Sequence, residues 1–187
     1  MILNDLRIRK LCSGDKPMID PYRPLLSQEG MISYGASSFG YDMRAGNYWK
    51  VFTDMYTAVI DPKCKGQRYF EDFEVPDHEA IILPPNGYAL THSKEYVRMP
   101  RDVTGLCIGK STYARVGIHV NITPLEAGWE GQVTVEISNA TRLPIKVYAG
   151  EGIMQVLFFQ GEDPECSYAD RNGKYQGQMG VTLAMIK

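Results

Sequence analysis

Trp129-Glu130-Gly131-Gln132-Val133-Thr134-Val135-Glu136-Ile137-Ser138-Asn139 alternates with a period of two. Gln132, Thr134 and Glu136 fall on one face of such a strand, and Val133, Val135 and Ile137 on the other. A single carboxylate therefore stands in the middle of the polar face. If that face lines a pocket, Glu136 is a candidate acid or base. The alternative is an antiparallel strand with one solvated face, a common arrangement. Upstream, Gly109-Lys110-Ser111-Thr112-Tyr113-Ala114-Arg115-Val116-Gly117 gathers a lysine, two hydroxyls and an arginine between glycines. Lys110, Ser111, Thr112 and Arg115 suit a polyphosphate through charge-assisted bonds. The competing reading is a solvated turn.

Outward from these segments the signals are mostly strand and turn. Tyr41 to Ala45 alternates, and Tyr48 to Thr53 is aromatic and β-branched. His78 to Leu83 and Tyr88 to His92 flank Pro84-Pro85-Asn86-Gly87, a strong turn signal. Val103 to Ile108 and Ile118 to Thr123 continue the series, and Ile145 to Tyr148 and Ile153 to Phe159 flank Ala149-Gly150-Glu151-Gly152. Residues 54–76 read as a long irregular stretch. One short helix is expected over residues 4–12, capped by Asn4 or Asp5. Many short strands and one helix predict an antiparallel barrel or sandwich in a single domain, with no repeat and no linker. After Gln160 the composition shifts to Gly, Tyr, Lys and Gln. Residues 161–187 therefore read as a mobile tail, able to close over a ligand or simply frayed.

Composition narrows the function classes. The 187 residues are 44% hydrophobic and 22% charged, which fits a folded domain with a sizeable core. A net charge of −2 without a long basic run argues against binding a nucleic acid polymer. No apolar run approaches the roughly 18 residues that span a bilayer. Cys12, Cys64, Cys107 and Cys166 show no paired spacing, which speaks against a structural zinc or a disulfide framework. No signal peptide is visible, and a reducing cytoplasm is the simplest compartment.

Motif inspection removes several chemistries. Gly105 to Ser111 has three residues between its glycines where a P-loop needs four, and strand patterning resumes at Ile118. His78, His92 and His119 belong to no zinc deaminase or His-Glu-x-x-His signature, so no zinc is expected. There is no Gly-x-Ser-x-Gly elbow, and Cys107 sits in an apolar run as a core residue. Glu126 lies ten residues before Glu136. The two carboxylates share a pocket only if the chain turns back at Gly128 and Gly131.

Several blocks, in order, resemble the dCTP deaminase family within the dUTPase-like superfamily. They are Ser38-Phe39-Gly40-Tyr41-Asp42-Met43-Arg44, Gly109 to Arg115, Val120 to Glu126, Trp129 to Asn139, Glu151 to Phe159 and Gly173 to Gln178. The resemblance implies a mainly β, distorted barrel or jelly-roll (β-clip) subunit, with a short N-terminal helix and a mobile C-terminal tail. It implies a homotrimer with nucleotide sites between subunits. It further implies zinc-independent hydrolysis of dCTP to dUTP and ammonia, with Mg²⁺ riding on the triphosphate. By the same resemblance, Glu136 is the catalytic glutamate, and Lys110, Ser111, Thr112 and Arg115 serve the phosphates and the active site. Thr134, Val135 and Glu136 face the base, and Gln155, Tyr168, Lys174 and Gln178 contact the nucleotide.

The chemistry agrees. Without zinc ligands, a carboxylate of raised pKa must both activate water and deliver a proton. Ser111 then places the water and Arg115 holds it or a phosphate in register.

Two departures from the wider pattern stand out. Position 126 is Glu where many relatives and the dUTPases carry Asp, and the glycine-rich dUTPase tail is replaced by Arg171-Asn172-Gly173-Lys174-Tyr175. Both favour a deaminase over a dUTPase. A bifunctional deaminase and diphosphatase is the second reading, and a catalytically silent nucleotide binder the third. Whether dTTP inhibits is left open.

Overall fold

A computed structural model describes residues 1–26, 29–64 and 66–186. In chain order the elements are α1 (Asp5–Leu11), β1 (Ile19–Asp20), β2 (Gly35–Ala36), β3 (Tyr41–Arg44), β4 (Tyr48–Phe52), β5 (Phe70–Glu74) and β6 (Ala80–Leu83). Then follow β7 (Tyr88–Arg98), β8 (Val103–Gly109), α2 (Ser111–Ala114), β9 (Ile118–Asn121), β10 (Glu130–Asn139), β11 (Ile145–Tyr148) and β12 (Gly152–Gln160). The helix α1 starts where its cap predicts: the Asn4 side chain accepts the Arg7 N–H, and Ile8 carries the buried contact.

The strands form three sheets. The largest runs β5-β4-β7-β10-β9, with β1 added to β7. A second runs β2-β3-β12-β8, and β6 pairs with β11 in a third. All three contribute to one core, with Val135 and Ile137 from the first, Met43, Val156 and Phe158 from the second, and Leu83 and Val147 from the third. The architecture is mainly β as expected, and among the described residues the sheets do not close into a barrel. No described helix is long and apolar enough to cross a membrane.

The structure adds detail to these local expectations. The turn Pro84 to Gly87 forms, with Asn86 at φ 56°. It joins two sheets, however, because β6 pairs with β11 while β7 pairs with β10 and β4. The Ala149 to Gly152 turn does the same between β11 and β12. On β3, alternation does not mean one wet face. Tyr41 and Met43 enter the core, and Asp42 and Arg44 are also buried, paired with Lys110 and Glu95. Finally, the irregular stretch 54–76 contains the edge strand β5, and α2 adds a one-turn helix after Lys110.

Candidate active site

The alternation on β10 is realised. Val133, Val135 and Ile137 are buried, while Gln132, Thr134 and Glu136 are half-buried on the opposite face. A row of register partners crosses the sheet at Glu136: Asp72, Lys50, Leu90, Glu136 and Asn121. Glu136 thus stands on the fourth of five strands, beside the edge strand β9, and a cavity of about 1020 Å³ stands over it.

The cavity has two chemically different ends. At one end the lining includes Glu126, Thr134, Tyr168, Lys174 and Gln178, all predicted from the sequence. At the other end stand Phe52, Ile60, Tyr69, Phe70 and Tyr88, which sequence reasoning missed. For Phe52 and Phe70 the signal is the aromatic content of β4 and β5. It is hard to read because β5 lies in residues 54–76, whose charges, glycine and proline give an irregular pattern.

Burial pushes the Glu136 carboxyl up to about 7, against a smaller opposing pull from its own backbone N–H. Its Oε2 is buried and has no protein hydrogen-bond partner. Tyr88 is pushed up to about 12 by burial first and by the nearby Glu136 charge second. A buried carboxyl poised near neutrality, with one oxygen free, can take a proton from water and return it.

The tail is built into this site. Gln132 N–H donates to the Gln178 carbonyl at 2.9 Å, and Gln178 Nε2 donates back to the Gln132 carbonyl at 2.7 Å. Trp129 Nε1 donates to the Tyr175 carbonyl at 3.0 Å. Tyr168 and Lys174 are held in turn: the Tyr175 N–H donates to Tyr168 Oη, and Lys174 Nζ donates to the Met185 carbonyl at 2.6 Å. Further back, Arg101 bonds Asp170 at 2.6 Å and the carbonyls of Pro164 and Glu165. Arg171 pairs with Glu126, so a tail residue engages the second cavity carboxylate.

Other predicted residues lie elsewhere. Val135 is fully buried on the core face, so only its backbone can face a base. Lys110 is buried and paired with Asp42, with its backbone N–H donating to the Ile153 carbonyl. Ser111, Thr112 and Arg115 are exposed on and beside α2, outside the cavity lining. Gln155 is half-buried on β12, with Nε2 3.4 Å from Ser37 Oγ. One chain therefore brings Glu126, Thr134, Glu136, Tyr168, Lys174 and Gln178 together and leaves the Ser111 cluster apart. Among the described residues no group of three or more His, Cys, Asp or Glu side chains converges as a metal-ligand set.

Comparison with known proteins identifies the family. The sequence model described as dCTP deaminase-like matches residues 2–161. A dCTP deaminase of Acidobacterium capsulatum is 56% identical over 172 residues, covering 91% of this chain and 92% of its own. One from Acidovorax sp. is 54% identical over 188 residues, covering 97% of each. Among solved structures, the 2'-deoxycytidine 5'-triphosphate deaminase of Agrobacterium tumefaciens superposes with a TM-score of 0.64 at 22% identity. That match takes in 86% of this chain and 48% of the other, so this chain spans about half of that one's length, and the likeness is one of fold. On the profile match and the long, close relatives, the chain belongs to the dCTP deaminase-like family.

Proposed function

We propose that the protein hydrolyses dCTP to dUTP and ammonia, with Glu136 as its acid–base group. Relatives more than 50% identical over nearly the whole chain bear the name dCTP deaminase, which supports the substrate. The observation that carries the mechanism is the Glu136 carboxyl, poised at about 7 on the cavity floor with Oε2 unpartnered. As a carboxylate it takes a proton from water while the water oxygen bonds to C4 of cytosine. That proton passes to N3. The new C4 hydroxyl then gives up its proton by way of Glu136 to the amine. The C4–N bond breaks, ammonia leaves, and uracil remains. A group near neutral pKa suits both halves of this exchange.

The polar end of the cavity suits the rest of the nucleotide. Lys174 supplies its positive charge, and Tyr168, Thr134 and Gln178 supply hydrogen bonds. Mg²⁺ arrives on the triphosphate. Of the two cavity carboxylates, Glu126 is paired with Arg171 and Glu136 is assigned to the base, so phosphate oxygens are its main ligands.

The assembly we propose is a homotrimer in which the Ser111, Thr112 and Arg115 cluster of one copy completes the cavity of another. These three side chains are exposed away from their own cavity. Near them, Val116, Leu106 and Ile108 are 52%, 44% and 41% exposed, an apolar area suited to a second copy.

The deciding experiment incubates chelator-dialysed protein with dCTP and Mg²⁺ and resolves dUTP, dUMP, ammonia and pyrophosphate. Equal dUTP and ammonia are expected. Accumulation of dUMP and pyrophosphate would make the enzyme bifunctional, and absence of ammonia would end the deaminase reading.

A further inference from the structure

Along one edge of β10 the pairing changes partner. β7 follows the opposite edge from Glu130 to Ser138, but β9 pairs only with Glu136 to Asn139. Where β9 is missing, the tail takes its place. Gly177 N–H donates to the Glu130 carbonyl at 2.8 Å, Gln132 N–H donates to the Gln178 carbonyl at 2.9 Å, and Gln178 bridges Gly131 in parallel register. The approach is close: a Cβ on Gly131, whose φ is 151°, would stand 3.0 Å from the Gln178 carbonyl oxygen.

These bonds lie in the plane of the sheet. At Gly180 the pattern changes. Its N–H donates to the side-chain oxygen Oε1 of Gln132 at 2.7 Å, and Thr182 N–H donates to Thr134 Oγ1 at 3.2 Å. The Gln132 and Thr134 side chains share one face of β10, the face that carries Glu136. The tail therefore leaves the sheet edge at Gly180, where φ is 63°, and crosses onto the cavity face. Lys174, Tyr175 and Gln178 line the cavity before this crossing, and Thr182, Leu183 and Ala184 line it after. Gln132 lies outside the lining, so its side chain touches the tail and not the ligand space. Thr134 is assigned to the nucleotide. Gln132 Oε1 is then the side-chain acceptor left to hold the crossing when the cavity is filled.

We propose that Gln132 is a positioning residue for the reaction: its side-chain oxygen latches the tail at Gly180 and so keeps Gln178 at the cavity. The proposal rests on the deaminase reading above. It requires an acceptor at this position and no donor. Glutamate supplies that acceptor at the same reach, and methionine keeps the length without it.

The test uses the full-length protein and two readouts. Without nucleotide, the Gly180 amide should exchange about threefold to tenfold faster in Gln132→Met, the range for one neutral hydrogen bond, and at the wild-type rate in Gln132→Glu. With dCTP and Mg²⁺, Gln132→Met should raise KM by a similar factor and change kcat by less than about twofold. In a chain ending at Met179, which has no Gly180 amide, Gln132→Met should add nothing to KM. Unchanged Gly180 exchange in Gln132→Met overturns the latch. So does equally fast exchange in the Met and Glu variants. Faster exchange with KM unchanged overturns the positioning role, as does an equal rise in KM in the shortened chain. A fall in kcat together with Tm would make Gln132 merely structural and overturn it too. A wild type that releases no ammonia overturns the deaminase reading, while the exchange rates still decide the latch.

Discussion

Glu136 and Leu90 face each other directly across the β10–β7 ladder, so the cavity carboxyl rises beside an apolar neighbour instead of a cation. No basic residue contributes to its shift; desolvation dominates. A carboxyl held this way is a proton carrier rather than half of an ion pair. Glu136→Gln keeps the shape and removes the proton exchange. Turnover of dCTP should fall by at least about 10³-fold, near the upper range for a general acid–base group, while nucleotide affinity stays close to wild type. In the wild type, kcat/KM should drop below pH 7 as the base becomes protonated. A variant keeping a tenth of wild-type turnover would remove Glu136 from this role.

The same residue sets a stability trend. Its carboxyl titrates at about 7 in the folded chain, against an ordinary 4.5. Between those values the folded state holds the extra proton. The stabilisation is therefore complete below pH 4.5 and is lost as pH rises through 7. Discounted for solvent reaching the cavity, the loss is about 1–2 kcal/mol. Glu136→Gln, neutral at every pH, should thus melt a few degrees above wild type at pH 8.5. The two should converge near pH 4.5, and parallel melting curves across this range would contradict the assignment.

How far the sequence was legible follows from where each signal came from. Alternation on β10 reports local geometry, and it separates Gln132, Thr134 and Glu136 from Val133, Val135 and Ile137 on the core side. On β3 alternation marks the strand but not its surroundings, because both faces are covered and the polar face is occupied by ion pairs to Glu95 and Lys110. Those partners lie 51 and 68 residues away, beyond any local pattern. The Arg101 anchor of the tail is hidden for the same reason. So is the aromatic end of the cavity, which only the pairing of β5 with β4 assembles.

Lys110 and Asp42 offer a clean contrast between two roles. As a buried pair, losing one partner strands the other charge, at a cost of about 3–5 kcal/mol. Lys110→Met should therefore lower Tm by on the order of 10 °C. The double variant with Asp42→Asn should recover part of that loss. A Lys110→Met protein with unchanged Tm and a raised KM would mean that the lysine serves the phosphates after all.

Assembly is open to direct test through β8. Light scattering should give three times the mass of one chain. Ile108→Glu places a charge in the exposed apolar row of β8, and it should shift the protein toward monomer and cut activity together, since Ser111 and Arg115 would no longer reach a neighbouring cavity. A fully active monomer would rule out a site shared between copies.

The tail divides into two parts with opposite expected effects. Residues 163–178 are tied down by Arg101, Trp129 and Gln132, and they present Tyr168, Lys174 and Gln178 to the cavity. Removing everything from Asp170 onward takes away Lys174 and Gln178, so KM should rise and kcat should fall with the core still folded. Arg101→Ala should act in the same direction more weakly, because it loosens the segment without deleting it. The last residues behave differently. Thr182 N–H donates to Thr134 Oγ1 at 3.2 Å, and the Met185 carbonyl holds Lys174 Nζ at 2.6 Å. These bonds occupy two groups assigned to the nucleotide. Ending the chain at Val181 frees both, and KM for dCTP should fall or stay level. Hydrogen exchange checks the division: with dCTP and Mg²⁺ present, amides in 168–180 should gain protection while those in 182–186 lose it. Equal exchange with and without nucleotide would leave the tail with no part in binding.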